Sequence, residues 1–191
     1  MSTLRSPSLS NRHLAGYKLG MNAAGHYRQL VQLGRDEFLA AAAPAALVRY
    51  RTEEDPEAAM TTLTLDEQTV DESTLPIGKE LPDGAVEIEV YPLAKKPGAS
   101  FADKITIGRT SNNDVAINDH SVSRLHAYVR LDGKRWVVAD AGSKNGSWLR
   151  GHTLEPRKEQ PLITRAVLRI GEVDLTFYLA QDLYEVLRAA P

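Results

Sequence analysis

Three short stretches hold most of the side chains suited to binding or catalysis. "IGRTSNND" (residues 107–114) contains Gly108 and Arg109, "DHSVSRLHA" (119–127) contains Ser123, Arg124 and His126, and "DAGSKNGSWLRG" (140–151) contains Lys144, Asn145 and Gly146. Hydroxyls and cations at the mouth of a strand either build a turn or converge on a ligand, and the ligand that suits such donors is an anion. Ser123, His126 and Asp119 or Asp140 can be assembled on paper into a hydrolytic triad, but the Gly-x-Ser-x-Gly nucleophile elbow is absent. No catalytic residue and no enzymatic activity are therefore assigned. The chain lacks cysteine, which removes disulfides, thiolate catalysis and the commonest zinc sites together. Its histidines, at 13, 26, 120, 126 and 152, show neither HExxH nor His-x-His spacing, so no metal and no cofactor are expected.

The elements that must position these residues are short and apolar. "VEIEVYPL", "KITIG", "DVAI", "HAYVRL", "RWVVAD", "AVLRIG" and "VDLTFYL" are each bounded by Gly, Asn, Asp, Pro or Ser, and nothing helical intervenes between residues 84 and 179. Many short strands at close spacing predict an all-β sandwich or barrel, with the polar stretches in loops gathered at one end. The chain then closes on "AQDLYEVLRAA", where Leu183, Val186 and Leu187 mark one face of a short helix over residues 181–191.

Charge divides the 191 residues further. Residues 1–50 carry a net +4, residues 51–83 a net −8 and residues 84–191 a net +2, for a total of −2. The basic segment, 1–50, reads as a small α-helical extension. One helix is marked by Leu14, Tyr17, Met21, Ala24 and Val31 and stopped by Gly34, and a second runs from Asp36 through "EFLAAAA" towards Pro44, with "AALVRY" following. These helices are too short for an independent core and are expected to pack on each other, on the rest of the chain or on a second copy. The acidic segment, 51–83, is rich in Asp, Glu, Thr and Pro without periodicity and reads as a linker. No run approaches the roughly 18 apolar residues of a membrane span, and the first residues lack a secretory signal, so the expected compartment is the cytoplasm. The nearly neutral sandwich gives no footprint for nucleic acid.

Gly108-Arg109, Ser123-x-x-His126 and Asn145-Gly146, in this order over three loops, resemble the forkhead-associated (FHA) domain across residues of about 84–180. The resemblance implies a sandwich of two twisted antiparallel sheets that binds phosphothreonine peptides at its loop end. It further implies that Arg109 and Ser123 contact the phosphate, that Arg124 contacts the phosphate or the peptide backbone, that Asn145 bonds the peptide backbone, and that Gly108, His126 and Gly146 support the site, His126 as a buried scaffold residue. Gly108 is read as allowing a sharp turn before Arg109. Lys144 and Ser147 stand where the family commonly has threonine, and Lys144 adds a cation there.

The expected function is a non-enzymatic phosphothreonine-binding module in Ser/Thr kinase signalling. Its partner is a phosphothreonine-containing protein such as a Ser/Thr kinase or a kinase substrate, not nucleic acid or membrane. Thr61 and Thr62, among acids in the linker, are candidate phosphorylation sites whose docking in cis would exclude outside ligands. The alternative is a phosphate-independent structural adaptor that binds partners or self-associates through its N-terminal helices.

Overall fold

The computed structural model describes residues 22–52, 85–98 and 101–190. Eleven strands form among them: β1 (Ala45–Thr52), β2 (Ala85–Pro92), β3 (Ile105–Gly108), β4 (Val115–Ala116), β5 (Ala127–Asp132), β6 (Arg135–Asp140), β7 (Ser147–Leu149), β8 (His152–Thr153), β9 (Gln160–Pro161), β10 (Val167–Ile170) and β11 (Val173–Leu179). They make two sheets, one in the order β2-β1-β11-β10-β7-β8 and the other β4-β3-β5-β6-β9. The pairs are antiparallel except β3 with β4, which run parallel and make the second sheet mixed.

Alternation builds the core between the sheets. In β10, Leu168 and Ile170 are buried while Val167 and Arg169 face out, and in β11 Val173, Leu175 and Phe177 point inward past exposed Asp174. Trp136 of β6 meets Phe177 across the gap with ring centroids 6.0 Å apart. Each such side chain removed from water contributes roughly 1.5–3 kcal/mol.

A second core lies on the outer face of the first sheet. Three helices, α1 (Ala24–Gln32), α2 (Arg35–Ala41) and α3 (Ala180–Ala189), cover Ala46, Val48, Ile88, Val90 and Tyr178 with Tyr27, Leu30, Phe38, Leu183, Tyr184 and Leu187. Tyr27, Phe38 and Tyr184 stack edge to face in sequence, at 5.6 and 5.3 Å, and the Tyr27 hydroxyl accepts the Ala43 backbone N–H at 3.0 Å. The expected face of α3, Leu183, Val186 and Leu187, is buried as anticipated. Gly34, at φ 103°, sits at the break between α1 and α2.

The boundaries differ from the sequence reading in one consequential way. The segment 1–50 is not wholly helical, because Ala45–Thr52 is a strand, and the sandwich does not begin at residue 84, because that strand lies inside the first sheet between β2 and β11. Ala45 and Leu47 face the inter-sheet core while Ala46 and Val48 face the helices. With both faces buried the alternation vanishes, and the alanine-rich run carries helix propensity that the tertiary contacts override. The acidic segment accordingly does not precede the domain; it joins β1 to β2. Residues 1–21, and 53–84 with Thr61 and Thr62, lie outside the described residues. β7, β8 and β9 were not anticipated as strands, being too short to display a period.

Candidate functional site

The β3–β4 loop begins where β3 delivers Gly108 and Arg109. Gly108 is needed for close approach rather than for a special turn: a Cβ there would stand 2.3 Å from the Arg124 carbonyl oxygen and 2.8 Å from Asn113 Nδ2. With no side chain intervening, the Arg109 N–H donates to the Ser123 carbonyl at 2.9 Å. Asn113 Nδ2 donates to the Arg124 carbonyl at 2.6 Å and to the Thr110 carbonyl at 2.9 Å, and the Thr110 hydroxyl donates to the same Arg124 oxygen at 3.0 Å. The two arginine-bearing loops are thus sewn together through two consecutive carbonyls, those of Ser123 and Arg124.

His126 joins the β4–β5 loop to the β6–β7 loop. Fully buried, it accepts the Ser123 N–H at Nδ1 and donates from Nε2 to the Gly146 carbonyl, both at 2.9 Å. Burial pushes its pKa below the usual histidine value, against the smaller opposing effects of the Gly146 carbonyl and Asp140, which suits a neutral ring with one donor and one acceptor nitrogen. Both ring nitrogens are thereby engaged away from the Ser123 hydroxyl, so the hydrolytic triad drawn from sequence is not assembled. That hydroxyl instead accepts the Lys144 backbone N–H at 3.0 Å, leaving its own hydrogen to donate outward. Gly146, at φ +82°, carries the chain past the Trp148 ring.

Carboxylates lie beneath the loops. Asp140 accepts from the Gly142 and Ser143 N–H groups and from the Ser143 and Ser147 hydroxyls at 2.6–2.8 Å. Burial raises its pKa, but these four donors outweigh that and hold it below the usual range. Asp119 behaves alike: burial is opposed by the Ser121 hydroxyl and N–H and by Arg49, with a net lowering. The Ser121 hydroxyl also accepts the Glu172 N–H at 2.9 Å, while Gly171, at φ +61°, lets the β10–β11 turn pack against the Ser121 backbone. Asn145 Nδ2 donates to the Ser121 carbonyl at 2.7 Å, which fixes the amide and leaves Oδ1 to accept from a ligand.

Arg109, Ser123, Arg124, Lys144 and Asn145 all line one cleft of about 1040 Å³. Gly108, His126 and Gly146 stand behind it as braces. Among the described residues no carboxylate lies within 4 Å of Arg109, Arg124 or Lys144, and the cleft wall contains no Asp or Glu. Asn113, Thr110, Ser121 and Gly171 are the positioning groups that sequence reading missed. The only signal for them was their place in turns.

Arg109, Ser123, Arg124 and Lys144 thus share one cleft at the loop end of a two-sheet β-sandwich. The FHA domain family model matches residues 105–171. Over 106 residues the chain is 31% identical to the oxoglutarate dehydrogenase inhibitor of Corynebacterium jeikeium, covering 53% of this chain and 71% of that one. It is 38% identical over 72 residues to the namesake in Corynebacterium efficiens, covering 38% and 49% of the two chains. An FHA domain-containing protein of Arabidopsis thaliana is 35% identical over 78 residues, 40% of this chain and 19% of its own length. The chain belongs to the FHA-domain family. Of the last two relatives it spans half the length or less.

Proposed function

We propose that the cleft binds phosphothreonine peptides and that the protein acts by such binding in Ser/Thr kinase signalling. The observation that carries this is that Arg109, Arg124 and Lys144, without counter-charges among the described residues, line one cleft together with Ser123. A phosphothreonine brings roughly −1.5 to −2 charges and three acceptor oxygens, which such a set satisfies. Arg109 and Ser123 hold the phosphate with Arg124 and Lys144 beside them, and Asn145 Oδ1 accepts a peptide N–H. Two relatives are named as inhibitors of an enzyme, which accords with regulation by binding. The partner class is a phosphothreonine-bearing kinase or kinase substrate met in the cytoplasm. Among the described residues no helix is long and apolar enough to cross a membrane.

Regulation in cis belongs to the same reading. Arg49 of β1 reaches Asp119 at 3.9 Å, so β1 runs towards the loop end, and Thr61 and Thr62 lie in the connection that leaves it. Phosphorylation there would supply a competing ligand at high local concentration. The adaptor alternative gains nothing from α1 and α2, whose buried faces are spent on the chain's own sheet.

The test is calorimetric titration of the full chain with a phosphothreonine peptide and its unphosphorylated twin. Only the first binds, and Arg109→Ala weakens it by about 2 kcal/mol, near 30-fold, without altering the fold. Equal affinity for both peptides removes the proposal.

A further inference from the structure

Among the described residues, none in the connection between β2 and β3 lines the cleft, yet two consecutive lysines in it bond to the β3–β4 loop. Lys95 Nζ donates to the Lys104 carbonyl and to Asp114 Oδ2, each at 2.7 Å. Asp114 is fully buried and is held by the Thr106 N–H at 2.8 Å and the Thr106 hydroxyl at 3.0 Å. Its other oxygen accepts the Lys96 N–H at 2.8 Å, which fixes where the next side chain starts. From there Lys96 Nζ donates to the carbonyls of Ser111, at 2.9 Å, and Asn113. Asn113 is the residue whose amide clasps Thr110 and the Arg124 carbonyl.

We propose that Lys96, seated by Lys95 on buried Asp114, is a positioning residue for the phosphopeptide cleft, fixing the β3–β4 loop and with it Arg109 and Arg124. The inference rests on the phosphopeptide reading above. Its physical content is preorganisation. Without the ammonium, the Ser111 and Asn113 carbonyls turn to water, the loop samples other arrangements, and the ligand must order it on binding. Lys96 does not touch the ligand, so its effect is transmitted through the Asn113–Arg124 link rather than through direct contact. It also lies outside the residues matched by the family model, in a stretch whose sequence shows only two surface-type lysines.

The experiment uses the full chain, a phosphothreonine peptide and its unphosphorylated twin, and the variants Lys96→Met, which keeps the aliphatic stem, and Lys96→Arg, which restores donors. Lys96→Met is expected to lower phosphopeptide affinity about fivefold, with the melting temperature nearly unchanged, and to speed amide exchange only around residues 109–113 and 124; Lys96→Arg recovers both. The loss persists at about 0.5 M salt, where long-range attraction between exposed charges is screened. Parental affinity in Lys96→Met, when the parent distinguishes the two peptides, overturns the inference and leaves the phosphate reading standing. So does a penalty that disappears in salt, or exchange that rises across the whole sandwich. If the parent fails to distinguish the peptides, the phosphate reading falls, and unchanged loop exchange in Lys96→Met then removes the clamp as well.

Discussion

Replacing His126 by alanine deletes a bridge between two loops and fills nothing in its place. The ring is fully buried and holds the Ser123 N–H and the Gly146 carbonyl at 2.9 Å each. A buried group left unpaired costs about 1–3 kcal/mol, and because both loops are close to solvent the lower end applies, giving about 2 kcal/mol for the pair. Lost packing adds about 1 kcal/mol, for a total near 3 kcal/mol. For a chain of this size 1 kcal/mol moves the melting temperature by roughly 2–4 °C, so His126→Ala is expected to melt about 9 °C lower. Phosphopeptide affinity falls with it, because Ser123 and Asn145 lose their common brace. Ser123→Ala is the control. Among the described residues its hydroxyl accepts only from the exposed Lys144 N–H, so melting shifts by no more than about 1 °C while affinity drops. Scanning calorimetry reads the first quantity and titration the second. A parental melting temperature for His126→Ala, or equal shifts for the two variants, refutes the reasoning.

Gly108→Ala places a methyl group 2.3 Å from the Arg124 carbonyl oxygen, a backbone atom that no rotamer change can move aside; urea unfolding should show a loss of about 2–3 kcal/mol, accompanied by weaker phosphopeptide binding. Stability should also depend on pH in two stages. His126 has a depressed pKa in the fold, so below the ordinary value of about 6.5 the unfolded chain takes up a proton that the fold refuses, and stability falls as pH drops through that value until the folded ring also titrates. Asp119 and Asp140, likewise depressed, contribute stability above about pH 4 that is lost as pH falls below it. Urea midpoints measured from pH 7.5 down to 3 check this, and a midpoint that rises between 7.5 and 5.5 contradicts the first stage.

That Arg109, Ser123, Arg124, Lys144 and Asn145 share one cleft was legible in their loop positions, since loops at one end of a sandwich cluster. His126 was legible only through the family resemblance, and its buried bridge matches that reading. Gly108 was noticed for the wrong reason: its backbone lies outside the left-handed region, and the Arg124 carbonyl is what forbids a side chain. β1 was illegible because burial on two faces erases the period that distinguishes a strand. Lys95 and Lys96 were invisible for a different reason, since a lysine bonding carbonyls in a distant loop has the same local sequence as one in water.

Synthesis from the N-terminus delivers β1 early, yet Ala45 pairs with Leu179 across most of the chain. Until residues 173–179 leave the ribosome, β1 and β2 share one ladder and β1 offers its other edge, and both its faces, to whatever is near. Among the described residues, α1 and α2 are the elements already made that cover the outer face in that interval. The first sheet is therefore completed by β11, in a slow long-range step, and a nascent chain stalled before β11 presents an apolar strand edge to chaperones and to other nascent copies.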